Sequence, residues 1–176
     1  MSDLSKLTAR DLLNAIGTRC MTKITLAINA AGAATVKSTG AINYTIGGVF
    51  YTVAALAARA ITVTHRADGS AVSAADPAYV QPAETTVVYV LAVNAAGTLA
   101  VVQGSYEGQS ITFKNDKSKV LTGTGGLPEL PAGYCPIGAV KVRTAAATTF
   151  TPATTALDAA GLTVTFTDLS QLPLTL

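Results

Sequence analysis

The side chains able to do chemistry are few and far apart. His65 is the single histidine, and Cys20 and Cys135 are the two cysteines. A zinc site built from these three would draw every ligand from a distant part of the chain, with no closely spaced pair to anchor the ion. His65 closes the alternating run Ala60-Ile61-Thr62-Val63-Thr64 and is expected at the surface end of a strand. His65-Arg66-Ala67-Asp68 echoes a kinase catalytic loop, but the glycine-rich loop and strand lysine of that signature are missing. Gly123-Thr124-Gly125-Gly126 is followed by Leu127-Pro128 rather than Lys-Ser/Thr, so it cannot open a helix as a phosphate cradle. Ser70, Ser105 and Ser110 lack the Gly-x-Ser-x-Gly setting of a hydrolase nucleophile, and Asn43-Tyr44-Thr45 matches the short glycosylation sequon. The carboxylates stand singly, and a glycosidase pair would have to assemble in space, for instance from Glu84 and Glu107. The expectation is therefore a chain with no catalytic residue, no metal site and no cofactor.

The two cysteines are expected as separate thiols, since no framework of four or six exists to organise a small fold. The start, Met1 to Lys6, carries Asp3 and Lys6 and no apolar segment follows. A secretory signal is therefore not expected, and synthesis in a reducing cytoplasm is.

Composition narrows the class further. Of 176 residues, 49% are apolar and only 12% charged, about half the charge usual for a soluble domain. High apolar content with a net charge of +2 argues against disorder. Twelve Lys and Arg against ten Asp and Glu leave no surplus for phosphates, so nucleic acid is not an expected partner. No apolar run approaches about 20 residues, so no membrane helix is expected.

The elements that must position these residues are mostly strands. A short helix is read around Leu12, Leu13 and Ile16, with Thr8 as its N-cap and Gly17 as its stop. After Met21 the apolar period becomes two, with strands expected at Ile24 to Ile28, Ala41 to Ile46, Val49 to Ala54, Ile61 to Val63, Thr85 to Val93, Thr98 to Gln103, Ser110 to Phe113, Ile137 to Val142 and Thr163 to Thr167. Gly47-Gly48 marks a hairpin. Arg66 to Glu84 and Thr122 to Pro136 read as loops rich in Gly and Pro. Asn29-Ala-Ala-Gly32, Asn94-Ala-Ala-Gly97 and Asp158-Ala-Ala-Gly161 recur, and each is expected as a four-residue hairpin tip. The expected fold is all-β, a β-sandwich or jelly-roll-like barrel with a short N-terminal α-helix, divided into an arm over 1–20 and a β domain over 21–176. Ala and Thr make up about a third of the chain. Such small side chains limit core volume, so burial of a subunit interface is expected to add stability.

Three stretches carry a resemblance. Gly40 to Gly48 (GAINYTIGG), Tyr89 to Leu99 (YVLAVNAAGTL) and Leu127 to Val142 (LPELPAGYCPIGAVKV) resemble structural proteins of tailed-bacteriophage virions, in which a hairpin is followed by a Leu-Pro…Pro-x-Gly loop and an Ile-Gly-x-Val strand. Capsid decoration, or cement, proteins and head-fibre bases are the members most suggested. The resemblance implies a non-enzymatic homotrimer on the outer surface of the head, made in the bacterial cytoplasm, with the major capsid protein as partner. It carries over no site residue. The residues expected to meet neighbours are Leu12, Leu13 and Ile16 of the arm and Leu127, Pro128, Leu130 and Pro131 of the proline-rich loop, where proline lowers the entropy lost on ordering. The competing expectations are a head-fibre, tail or baseplate component, and a carbohydrate-binding β-sandwich adhesin using tyrosines as sugar platforms.

Overall fold

A computed structural model describes residues 17–73, 76, 79–105, 107–108 and 128–170. These residues are almost entirely β, in three antiparallel sheets that share one core. The strands are β1 (Arg19–Cys20), β2 (Ala27–Ile28), β3 (Thr35–Lys37), β4 (Ile42–Ile46), β5 (Val49–Val53), β6 (Arg59–Ala60), β7 (Thr85–Asn94), β8 (Leu99–Gln103), β9 (Glu107–Gly108), β10 (Tyr134–Thr144) and β11 (Leu162–Asp168).

Turn chemistry sets the local pairings. β4 and β5 pair up to Ile46 opposite Val49, and the two residues between them, Gly47 and Gly48, both take positive φ (57° and 83°). That conformation suits the right-handed strand twist and is open to glycine. β7 and β8 are joined by Asn94–Gly97, where the Asn94 carboxamide accepts the N–H groups of Ala96 and Thr98 and Gly97 has φ 76°. Asn29–Gly32 likewise joins β2 to β3. The third copy, Asp158–Gly161, is not a hairpin tip. It is the last turn of the long connection between β10 and β11, and its carboxylate caps the first copy's Gly32.

The main sheet runs β11-β10-β7-β8, with β9 pairing the start of β7. One side of it carries Val87, Tyr89, Leu91, Val93 and Val101, which pack against Cys20, Ile24, Leu26, Val36, Ile42 and Tyr44 from the other two sheets and their connections. β10 joins this face with a change of phase. Cys135 points into the core before the irregularity between Pro136 and Gly138, Ile137 does so at it, and Val140 and Val142 do so after it. The bulge gives β10 one extra residue, which accommodates Pro136 in a central strand and turns Gly138 inward. A Cβ on Gly138 would lie 2.5 Å from Leu26 Cδ1 and 2.9 Å from Ile24 Cδ1. Tyr134 to Pro136 are therefore strand, not the end of a loop.

Part of the opposite face of the main sheet is buried as well, while Arg143 and the β11 residues Thr163, Thr165 and Thr167 on it are exposed. Val88, Val90 and Ala139 form a second cluster, with Leu130 and Leu169 packed on it. One end of the first core is pinned by the fully buried Gln81. Its Nε2 donates to the Thr85 and Val142 carbonyls (3.1 and 3.0 Å), and its Oε1 accepts the Tyr89 hydroxyl at 3.0 Å. A buried amide with both ends used in this way satisfies three other groups at once.

Other expectations change for identifiable reasons. The run Ile24 to Ile28 keeps its alternating burial but is strand only at Ala27–Ile28, because Thr25 takes a left-handed φ of 47°. β3 is a strand that the apolar pattern does not mark, and pairing at Arg59–Ala60 replaces the strand expected at Ile61 to Val63. The expected helix, with Leu12, Leu13 and Ile16, and the strand Ser110 to Phe113 lie outside the described residues. Residues 17–20, placed in the arm from sequence, belong to the β body. Cys20 pairs with Tyr44 and is buried, and Gly48 N–H donates to the Gly17 carbonyl at 3.0 Å. Gly17 is glycine because the β4–β5 turn lies against it: a Cβ there would sit 2.6 Å from Gly48 N.

Candidate functional site

The proline-rich loop and one turn of the Arg66 segment form a common surface at the outer edge of β8. Thr64 begins this arrangement. Its hydroxyl donates to the Val101 carbonyl (3.1 Å) and accepts the Val101 N–H (2.9 Å), which lays residues 64–65 along β8. His65 extends the pairing by accepting the Gln103 N–H at its carbonyl (3.0 Å) and bridging Ala71 on its other side. Thr64 Oγ1 also lies 3.0 Å from His65 Nδ1. The imidazole meets the Tyr134 ring edge-on at 5.8 Å. His65 is half-buried and lies in isolated bridges to Ala71 and Val102, not at the end of a strand over Ile61 to Val63.

Beyond His65 the chain turns at Arg66–Ser70. Asp68 Oδ1 accepts both the amide (3.0 Å) and the hydroxyl (2.6 Å) of Ser70. Those bonds, the hydroxyl foremost, hold the Asp68 carboxyl below its usual range. The proline-rich loop fastens to this turn. Glu129 N–H donates to the Ala67 carbonyl at 2.8 Å, and Gly69 approaches so closely that a Cβ would be 3.3 Å from the Glu129 carbonyl oxygen.

Of the loop residues singled out from sequence, Pro128, Leu130 and Pro131 are each half-buried. Leu130 packs on Val88, Val90 and Ala139, so part of its apolar surface is covered by its own sheet. Leu127, like Leu12, Leu13 and Ile16, lies outside the described residues.

On the other flank of the Arg66 turn is a cavity of about 580 Å³, lined among others by Thr62, Arg66, Asp76, Tyr79, Val80 and Gln103. Arg66 Nη2 donates to Asp76 Oδ2 at 2.5 Å, and the same oxygen accepts the Ser73 N–H at 2.8 Å. The pair closes the loop on itself. The sequence reads this stretch as a loop and does not join Arg66 to Asp76, because a ten-residue gap between two surface charges has no periodic signature.

The outer face of the β1-β4-β5 sheet is the second exposed region. Cys20, Tyr44 and Tyr51 point inward, which leaves Arg19, Met21, Asn43, Thr45, Phe50 and Thr52 outward. Phe50 and Met21 are 59% and 53% exposed. Val49, at the turn, is exposed too. Phe50 and Met21 thus share one face, on either side of β4. Sequence reading missed it; the signal was that Phe50 falls on the polar phase of the β4–β5 alternation.

No protein-family model, curated protein or solved structure matches the chain. Among the described residues no three His, Cys, Asp or Glu side chains come together as metal ligands. Glu84 is exposed, beside the start of β7, and β9 places the Glu107 backbone opposite Thr86. Cys20 and Cys135 are both free thiols in the core, where burial raises the pKa of each. What the described arrangement offers is surface: a sheet face that carries Arg19 together with exposed Phe50 and Met21, and a proline-containing loop fastened to the Arg66–Ser70 turn.

Proposed function

We propose that the chain is a non-enzymatic virion structural protein, a capsid decoration protein that binds the outer surface of a tailed-phage head as a homotrimer and stabilises it. The observation that carries this reading is the resemblance across Gly40 to Val142. Its three stretches correspond to the β4–β5 hairpin, the β7–β8 hairpin, and the loop leading into β10. A cement role asks for broad, weakly charged contact surface and no reacting group. The exposed Phe50 and Met21, the Pro128–Pro131 loop and the low charge of the chain supply such a surface. In this reading the scaffold is a β-sandwich, its partners are the major capsid protein and two further copies, and residues 1–16 grip the shell or an adjacent subunit.

The test is to locate the protein on purified particles by electron microscopy and to compare the heat and low-salt stability of particles with and without it. Density on the outer face of the head and earlier rupture of depleted particles are expected. Equal stability of the two would sink the cement role. Light scattering of the isolated protein checks the trimer, and a clean monomer at micromolar concentration removes it. Deleting residues 1–16 is expected to weaken particle binding while the β body still folds.

One observation favours a second reading, a carbohydrate-binding sandwich. The cavity beside Arg66 combines the polar side chains of Arg66, Asp76 and Gln103 with the aromatic Tyr79. A glycan array that shows saturable binding lost in Tyr79→Ala would decide for it.

A further inference from the structure

We propose that Cys20 and Cys135 are the two ends of an inter-sheet disulfide that forms when the protein meets a small-molecule disulfide oxidant. The free thiols then describe the reduced chain, and the inference stands apart from the function proposed above.

The geometry rests on strand phase and on the distance between two sheets. Cys20 lies on β1 opposite Tyr44, and Cys135 lies on β10 opposite Val93. Both side chains point into the same core cluster and are 1% and 0% exposed. β1 and β10 belong to different sheets, yet their Cα atoms come within 8 Å of one another. Tyr44 shows how close the sheets are at this level. From its place beside Cys20, its hydroxyl reaches across to the Asn94 carbonyl at 2.7 Å, and Asn94 is the β7 partner of Tyr134, the neighbour of Cys135.

A disulfide spans Cα separations of about 4.4–6.8 Å. β1 is two residues long and lies at the edge of its sheet, so it is the side able to close any remaining difference. The Cys20 thiol itself makes only weak hydrogen bonds, to the Thr22 carbonyl at 3.2 Å and the Asn43 carbonyl at 3.9 Å. The Cys135 thiol is pushed up to about 12, by burial first and by the neighbouring Cys20 second.

Burial keeps both thiols protonated, so the reaction proceeds through local opening of the short edge strand. Cys20, once exposed, gives up its proton and attacks one sulfur of glutathione disulfide. That S–S bond breaks, and the departing glutathione thiolate takes up a proton. The Cys135 thiolate then attacks Cys20 Sγ and expels the second glutathione, which is protonated in turn. Two protein thiols are oxidised, and one glutathione disulfide is reduced to two thiols. The bond ties β1, and with it the segment 1–16 that precedes it, to the central strand β10.

The experiment uses the full chain, unfolded in urea and refolded in an oxidising glutathione buffer, beside a sample refolded in dithiothreitol. Each is denatured in acid, alkylated and weighed intact, then digested. The expected oxidised product is monomeric, lighter by two hydrogens, unreactive to alkylation, and yields one linked peptide pair containing residues 20 and 135. Its thermal midpoint is expected about 10 °C above that of the reduced sample, because the bond closes a long loop. Cys20→Ala and Cys135→Ala should each abolish the oxidant-dependent rise. Two alkylated thiols, glutathione adducts without a cross-link, or a cross-link between molecules would each overturn the proposal. Refolding in the oxidant removes burial of the thiols as a reason for failure.

Discussion

Asp158 Oδ2 accepts the backbone N–H of Gly32 at 2.8 Å. The two residues belong to the first and last copies of the same short turn sequence, 126 positions apart, and the middle copy keeps its bond to itself through Asn94. The acidic residue at the head of the last copy thus anchors the β10–β11 connection to the β2–β3 turn. Leu157 N–H, donating to the Ala33 carbonyl at 3.0 Å, holds the same junction.

Removing that carboxylate tests the junction. Asp158→Ala is expected to lower unfolding stability in urea by about 1 kcal/mol, since the bond is charge-assisted but exposed. Asp158→Asn keeps an acceptor and should lose less. An Asp158→Ala protein as stable as the parent would show that the Leu157 bond alone holds the connection.

Two glycines fill space that a methyl group cannot share, and they should differ in cost. At Gly138 the added Cβ meets the ends of Leu26 and Ile24, which can shift, so Gly138→Ala is expected to lose about 1–2 kcal/mol. At Gly17 the Cβ meets the backbone of Gly47 and Gly48, which cannot give way without opening the turn. Gly17→Ala should therefore be the more destabilising of the two in the same denaturant titration, and the reverse order would contradict the described contact.

The Gln81 network predicts a large effect from one oxygen. Tyr89→Phe removes the donor to Gln81 Oε1 and leaves that acceptor buried without it, at a cost of about 1–3 kcal/mol. The paired change Tyr89→Phe with Gln81→Leu should not restore stability, because Gln81 Nε2 also serves the Thr85 and Val142 carbonyls. Full recovery in the double variant would show that those two bonds contribute nothing.

Alkali should destabilise the reduced protein through its buried acids. The Cys135 thiol is held neutral up to about 12, against an ordinary value of 9.0 in the unfolded chain, and the Tyr89 phenol is likewise pushed upward by burial. Above pH 9 the unfolded chain has lost the thiol proton that the folded chain retains. It binds fewer protons, and stability falls as pH rises. The urea midpoint in reducing buffer is expected to be flat, as far as these groups are concerned, up to about pH 9 and to decline beyond it. Cys135→Val should make the decline shallower between pH 9 and pH 10.5; an unchanged slope would assign it elsewhere.

Much of the fold was legible because its turns are written in residue types with one conformational use. Gly47-Gly48 and the Asn94 to Gly97 turn mark two hairpins, and the β-branched run from Thr85 marks the central strand. The phase of β10 was not legible. A bulge adds one residue and reverses which positions face inward, so a strict period of two ends at Pro136 and restarts at Gly138. Thr25 ended a strand by its backbone angle, which its side chain does not announce. At the candidate surface, proline marks residues 128–131 as a loop, and they lie outside any strand. That Leu130 is partly used by its own sheet depends on the second buried face, and a strand apolar on both sides reads the same whatever covers it.

The order of strands in the main sheet has a consequence during synthesis. β8 follows β7 at once, but the other long edge of β7 waits for β10, whose first residue, Tyr134, comes 40 positions after Asn94. At about 5–20 residues per second, the ribosome leaves the valine-rich strand half-paired for some seconds. A chain truncated before Tyr134 would keep that edge open for good, so nascent and prematurely terminated products are the species that need chaperone protection, whereas the finished protein closes β7 between two neighbours.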